Sequence, residues 1–387
     1  MVEVCKEFRG FSCPFERLDD AALDWAVSEY AACLLDVFLE EFSASLQGEG
    51  VVQGLTALRN SAPQIHSIWS RALGASLEAL QMDSIPIAQH AAAMLLIQRL
   101  AAGHPSSWSL QFLEPISLLY DCWLFEGCER IEVKSSGSHT EIITFSQGRT
   151  QHQRLDYGSS VEKSAADGPE RLPKVVSDNG PIIILPARAV SSPSASQLSL
   201  NLCANIDGAD FGALEECFRQ MKAWSPEYYR WVSRVVRSVA LVEAPQNSLR
   251  SASANESCSM LYISNNHDPL LLGEMLVHEA SHQYYFIATR HGPVVDPSDE
   301  QQFYSPFASR FRPLERIVLG FHAFANVYLY YSMMLKSGAG RQDFCAEQMA
   351  KCHRDLSQVA TLIKETDKLT EIGRSIAHPL LGALDEL

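Results

Sequence analysis

Hydrophobic positions recur at three- and four-residue spacing from Leu18 to about Gly103, a period that predicts helices. Ala21–Leu46 and Ile87–Ala102 are the clearest stretches, and Asp83-Ser84-Ile85-Pro86 supplies a start signal for the second. Near Cys128 the pattern shortens. Alternating or β-branched runs at Arg130–Lys134, Glu141–Phe145, Pro181–Leu185 and Gln197–Leu202 predict strands. Ser135-Ser136-Gly137-Ser138 and the polar tract from Gln151 to Gly180 read as the turns and the long loop between them. Helical spacing returns over Phe211–Trp224 and Pro226–Val242, and Met260–Ser264 reads as one more strand. The expected fold class is α+β, mainly helical, with a helical region over 1–127, a β-rich region over 128–208 and a second helical region over 209–387.

One helix needs a separate test. From Ile317 to Leu335 there is no Lys, Arg, Asp or Glu, and that length could span a bilayer. His322, Asn326 and Ser332 lie inside it, however, and polar groups in hydrocarbon are costly, so a central helix of a soluble core is predicted. The N-terminus lacks a basic segment followed by an apolar run, so no secretory signal is read there and a cytoplasmic location is expected. The ten cysteines form no C-x-x-C pair, which fits free thiols in a reducing compartment.

Composition narrows the partners. The 387 residues include 31 Lys+Arg against 46 Asp+Glu, a net charge of −15. That balance argues against nucleic acid, which needs a basic face, and against an anionic membrane surface. At 47% apolar and 20% charged residues the chain is composed like an ordinary globular protein.

The chemistry is concentrated in the stretch from Leu270 to Tyr284. Asp268 is a good N-cap and Pro269 suits the first helical position, so His278-Glu279-Ala280-Ser281-His282 falls on a helix. Residues four apart share a face, and His278 and His282 can therefore aim two imidazoles at one metal ion, with Glu279 angled beside them. A third ligand is needed. Ala288 stands where the metzincin pattern requires histidine, and His291 follows at the expected helix end. Glu300, Glu315 and His322 are the candidates left, and His322, an imidazole inside an uncharged helix, is the best of them.

Between the two helices, Arg310 and Arg312 stand just ahead of the uncharged segment. Each can fork onto a substrate carboxylate, or pair with a surface acid such as Glu315. A metal held by two histidines and one further ligand keeps open positions, and with a carboxylate-binding arginine it meets the needs of a 2-oxoglutarate oxygenase. Zinc hydrolysis with Glu279 as general base fits the same spacing.

These residues resemble the H-E-x-x-H peptide-modification family found with ribosomally made, modified peptides. Beyond His278–His282 the resemblance continues in Ser305-Pro306-Phe307-Ala308-Ser309-Arg310-Phe311-Arg312-Pro313-Leu314, similar to the family block S-P-W-R-x-x-P-R-P-L, and in Leu319–Phe324. Phe307 replaces Trp, Ala308 replaces the first Arg and Phe311 replaces Pro. Some members are iron enzymes that use 2-oxoglutarate to hydroxylate a β-carbon. The resemblance therefore implies Fe(II) on His278, His282 and His322, 2-oxoglutarate held by Arg312 with Arg310, an orienting role for Glu279, and a ribosomal precursor peptide as substrate. A zinc metallopeptidase using Glu279 is the alternative expectation, and a peptide-binding protein without catalysis is the third.

Overall fold

The computed structural model describes residues 8–16, 20–60, 69–101, 104, 106–136, 139–156, 169–190, 200–243, 250–338 and 341–386. The front of the chain is helical, as its spacing predicts: α1 (Arg9–Ser12), α2 (Asp20–Phe42), α3 (Val51–Arg59), α4 (Arg71–Met82) and α5 (Ile85–Ala101). Asp83, with φ 48°, ends α4 in the left-handed region, and α5 begins two residues later.

Strands begin earlier than the sequence pattern indicates. β1 (Trp108–Tyr120) and β2 (Trp123–Ser135) lie in or run out of the segment expected to be helical, and β3 (His139–Ser146) and β4 (Arg149–Asp156) complete an antiparallel meander. β1 hides from a period-2 reading because its register with β2 shifts twice between Gln111 and Leu118, breaking the alternation. β4 hides for a different reason. Its sequence is almost wholly polar, and the strand is held by its ladder to β3. Gln147 and Gly148 make the turn between them with φ of 42° and 77°, the pair of positive angles that a tight two-residue hairpin loop demands.

A second sheet carries the candidate site. After β5 (Glu170–Arg171), which pairs with β2, come β6 (Lys174–Ser177) and β7 (Gly180–Leu185). Helices α6 (Gly208–Trp224) and α7 (Pro226–Val235) then cross over to β8 (Ser238–Val242), which is followed by β9 (Ser251–Ala252) and β10 (Met260–Ser264). The order is β6-β7-β8-β10-β9, with β7, β8 and β10 parallel and both outer strands antiparallel. The expected helix over Pro226–Val242 is thus corrected. It stops at Val235, and Ser238–Val242 is a strand buried along its whole length. Strands buried on both faces lose polar alternation, which is why periodicity could not separate strand from helix there. Of the expected strand Gln197–Leu202, residues 197–199 lie outside the described residues, and Leu202 forms an isolated bridge to Val242.

The two faces of β10 divide the core. Met260 and Tyr262 face a cluster shared with Leu124 and Leu172 of the first sheet's side. Leu261 and Ile263 belong to the main core, which extends from Phe8 to Leu381. On that second face lies α8 (Pro269–Thr289). The β11 (Gln302–Ser305) and β12 (Arg310–Pro313) hairpin leads into α9 (Leu314–Lys336), and α10 (Gln342–Glu365) and α11 (Glu371–Asp385) close the chain. α9 is long and apolar enough to cross a membrane by length and composition, yet most of it is buried against α8, α10 and α11. All nine cysteines among the described residues are unpaired.

Candidate metal centre

α8 starts as its sequence predicts. The Asp268 carboxylate accepts from Leu270 N at 3.0 Å, and Pro269 occupies the first turn, where its missing N–H has no partner to lose. The helix is then fixed in rotation by Gln283. Its Oε1 accepts from Ser259 N at 2.8 Å and from Trp69 Nε1 at 3.2 Å, and its Nε2 donates to Ser257 O at 3.3 Å. The next residue, Tyr284, stacks on Trp231 with centroids 4.3 Å apart and donates to the Trp231 carbonyl at 2.9 Å. A glutamine satisfied on both ends inside a dry core leaves the helix little freedom to roll.

With that rotation set, His278, Glu279 and His282 converge. Their ligand atoms all lie within 4.8 Å of one another. The two imidazole planes stand at 90° with centroids 4.8 Å apart. Both rings are half-buried, neither has a hydrogen-bond partner among the described residues, and His282 Nδ1 is a buried nitrogen with none. Burial is the main cause that holds His278 down to about 4 and His282 well below the usual histidine range; His322 adds to it for both. At neutral pH both are therefore neutral, the form that ligates a metal. Two neutral imidazoles without hydrogen-bond partners among the described residues, and a carboxyl beside them, fit a metal ion.

Glu279 is 1% exposed and its Oε2 accepts from the Ser253 hydroxyl at 2.7 Å. Burial pushes its carboxyl up to about 7, opposed by the hydroxyls of Ser251 and Ser253 from the β9 edge. It is placed to orient the histidine turn, and also to exchange a proton near neutral pH.

His322 is placed differently. Its Nε2 lies 2.9 Å from the carbonyl oxygens of both Phe11 and Ser12, so this nitrogen must carry the proton and donate. Asn326 Nδ2, one turn on, donates to the same Ser12 carbonyl at 2.8 Å, and Tyr228 donates to Asn326 Oδ1 at 3.1 Å. His322 thus ties α1 to α9, and the structure does not gather it with His278 and His282 among groups that could hold a metal. Glu300 and Glu315 are exposed and are likewise outside the group. His291 donates to Ala26 O at 2.9 Å and stacks on Trp25.

The wall of the site comes from α9 and the hairpin loop. Phe324 stands edge-on to His278 at 4.9 Å, and Phe307 stacks on Phe324 at 4.2 Å. Phe307 also lies over Gly320, where a Cβ would meet the ring at 3.4 Å, an ordinary van der Waals contact. Arg310 and Arg312 leave the same hairpin. No carboxylate pairs with either among the described residues, so the expected surface bridge to Glu315 does not form. Arg312 Nε is buried without a partner. Burial lowers the Arg312 guanidinium below its usual value, and the charges of Arg310 and Arg316 lower it further.

Arg316 is the residue that sequence reasoning missed. Its charge is felt by His282 and Tyr285 as well as by Arg312. Its signal is helical spacing, because Arg316 lies four residues before Gly320 and eight before Phe324 on α9. The chain matches no protein-family model and no curated protein, so the reading of this centre rests on its own residues.

Proposed function

We propose that the protein is an Fe(II)/2-oxoglutarate-dependent oxygenase of the cytoplasm that hydroxylates a residue, at a β-carbon, in a ribosomally made precursor peptide. One observation carries the reading. A guanidinium with a buried, unpartnered Nε, Arg312, sits within electrostatic reach of Arg316, which in turn reaches His282 of a vacant-handed imidazole pair. A buried donor without an acceptor is costly, and a carboxylate ligand would relieve it.

His278 and His282 would hold the iron, which when bound supplies oxygen activation and leaves open positions for a keto-acid chelate. Arg312 binds the far carboxylate of 2-oxoglutarate, and Arg316 adds positive potential along the path to His282. Phe307 and Phe324 form an apolar wall that keeps bulk water from the His278 side. Glu279, held by Ser253, orients the helical turn that carries both histidines.

A zinc peptidase is the second reading, favoured by a carboxyl poised at about 7 beside the pair, as a general base requires. The experiment is anaerobic reconstitution with Fe(II) and 2-oxoglutarate, then exposure to oxygen with a candidate precursor peptide. Conversion of 2-oxoglutarate to succinate with gain of one oxygen on the peptide supports the oxygenase. Oxygen-independent cleavage with zinc replaces it with the peptidase.

A further inference from the structure

We infer that the free edge of the β11–β12 hairpin is a docking strand for an extended, acidic, apolar-alternating peptide, delivered from there to the histidine pair. The inference deepens the oxygenase reading only in naming where its substrate binds.

Three observations lead to it. First, β11 and β12 form a two-stranded sheet of their own, so each strand has one unpaired edge among the described residues. Such an edge offers backbone donors and acceptors to an added strand. Second, the two faces of the hairpin differ in chemistry. Tyr304 and Phe311 are directly opposed across the ladder, are 46% and 68% exposed, and meet edge-to-face at 5.8 Å. Arg310 and Arg312 alternate with Phe311 along β12 and therefore take the other face. A strand laid along β12 would present alternate side chains to an aromatic face and to a cationic one.

Third, the cations are in surplus. A 2-oxoglutarate carboxylate needs one arginine, yet Arg310, Arg312 and Arg316 cluster with no acid paired to any of them among the described residues. In a chain of net charge −15 an unneutralised group of three arginines is a local reversal of sign, complementary to acidic side chains. The hairpin is also fixed to the site. Its loop residue Phe307 stacks on Phe324, which stands edge-on to His278. A peptide on β12 is therefore led to the histidine pair.

The test is fluorescence anisotropy of the full-length protein with a labelled eight-residue peptide alternating Glu and Leu. Its controls are the same peptide with Lys in place of Glu, an N-methylated Glu/Leu peptide, and a labelled twelve-nucleotide oligo-dT. The inference expects the Glu/Leu peptide to bind at least about tenfold more tightly than the three controls, with Arg310→Glu and Phe311→Ser each weakening it about tenfold. Phe311 is exposed, so its replacement spares the fold, and circular dichroism checks this for both variants. Equal binding of the Glu and Lys peptides, undiminished binding of the N-methylated peptide, tighter binding of oligo-dT, or indifference to both variants would overturn it. Peptide binding without any 2-oxoglutarate turnover keeps the docking strand and removes the oxygenase. Uncoupled 2-oxoglutarate turnover without peptide binding does the reverse.

Discussion

Ser253 donates its hydroxyl to Glu279 Oε2 at 2.7 Å, joining the residues that follow the edge strand β9 to the centre of α8. The bond holds a carboxyl that is 1% exposed and lifted to about 7. In the metal-free protein, folding keeps the Glu279 proton in a range where the unfolded chain has released it. Stability from this group is complete below the ordinary carboxylate pKa and is lost as pH rises through about 7. Glu279→Gln removes that penalty, and the metal-free variant is expected to be about 2 kcal/mol more stable than wild type at pH 8 and equal to it at pH 4. Urea unfolding at the two pH values checks this; equal stability at pH 8 refutes it. The same variant separates the chemistries, because a peptidase loses nearly all turnover and an oxygenase retains some.

His322 donates through Nε2 to the Phe11 and Ser12 carbonyls, and its ligand atoms are not gathered with those of His278 and His282. His322→Ala removes the donor to the Phe11 and Ser12 carbonyls and leaves a cavity, and a loss of about 2–4 kcal/mol is expected. Iron stoichiometry, measured by elemental analysis below the unfolding temperature, should stay near that of wild type, whereas His278→Ala or His282→Ala should abolish it. Loss of iron in a folded His322→Ala protein would restore this residue as a ligand.

Arg312→Met keeps the length of the side chain and removes the guanidinium. It is expected to raise the KM for 2-oxoglutarate by about tenfold to a hundredfold with a smaller effect on kcat, since the lost contact is to a part of the co-substrate that does not react. A KM unchanged in steady-state succinate assays would remove Arg312 from the site.

Gly273 lies against Tyr330 where α8 and α9 cross. A Cβ there would fall 2.3 Å from the Tyr330 hydroxyl oxygen and 2.9 Å from its ring, and Tyr330 is 1% exposed, with no room to retreat. Gly273→Ala is expected to cost about 1–3 kcal/mol despite its better helix propensity, and Tyr330→Leu in the same chain should recover part of it. Thermal unfolding of the single and double variants measures both.

How much of this was legible in the sequence depends on the range of the interaction concerned. The cap at Asp268, the turn-spaced His278 and His282, the strand Met260–Ser264 and the helix through Ile317–Leu335 are written in neighbouring residues, and the structure has them where the spacing predicts. β1 and β4 were not legible, because one has a shifted register and the other is defined by its partner rather than by an apolar face. β8 reads as helix in the sequence because burial on both faces erases the alternation that marks a strand.

The sequence by itself determined the local chemistry: two imidazoles on one face of a capped helix, and arginines gathered before an uncharged one. Only the tertiary structure decided which of these groups meet. It sent His322 to carbonyls more than three hundred residues away in the chain, gave Glu279 its partner Ser253 just beyond β9, and set Phe324 against His278. The physical reason is that helical periodicity and capping act within one or two turns, whereas a buried polar atom takes the partner that long-range packing leaves nearest to it.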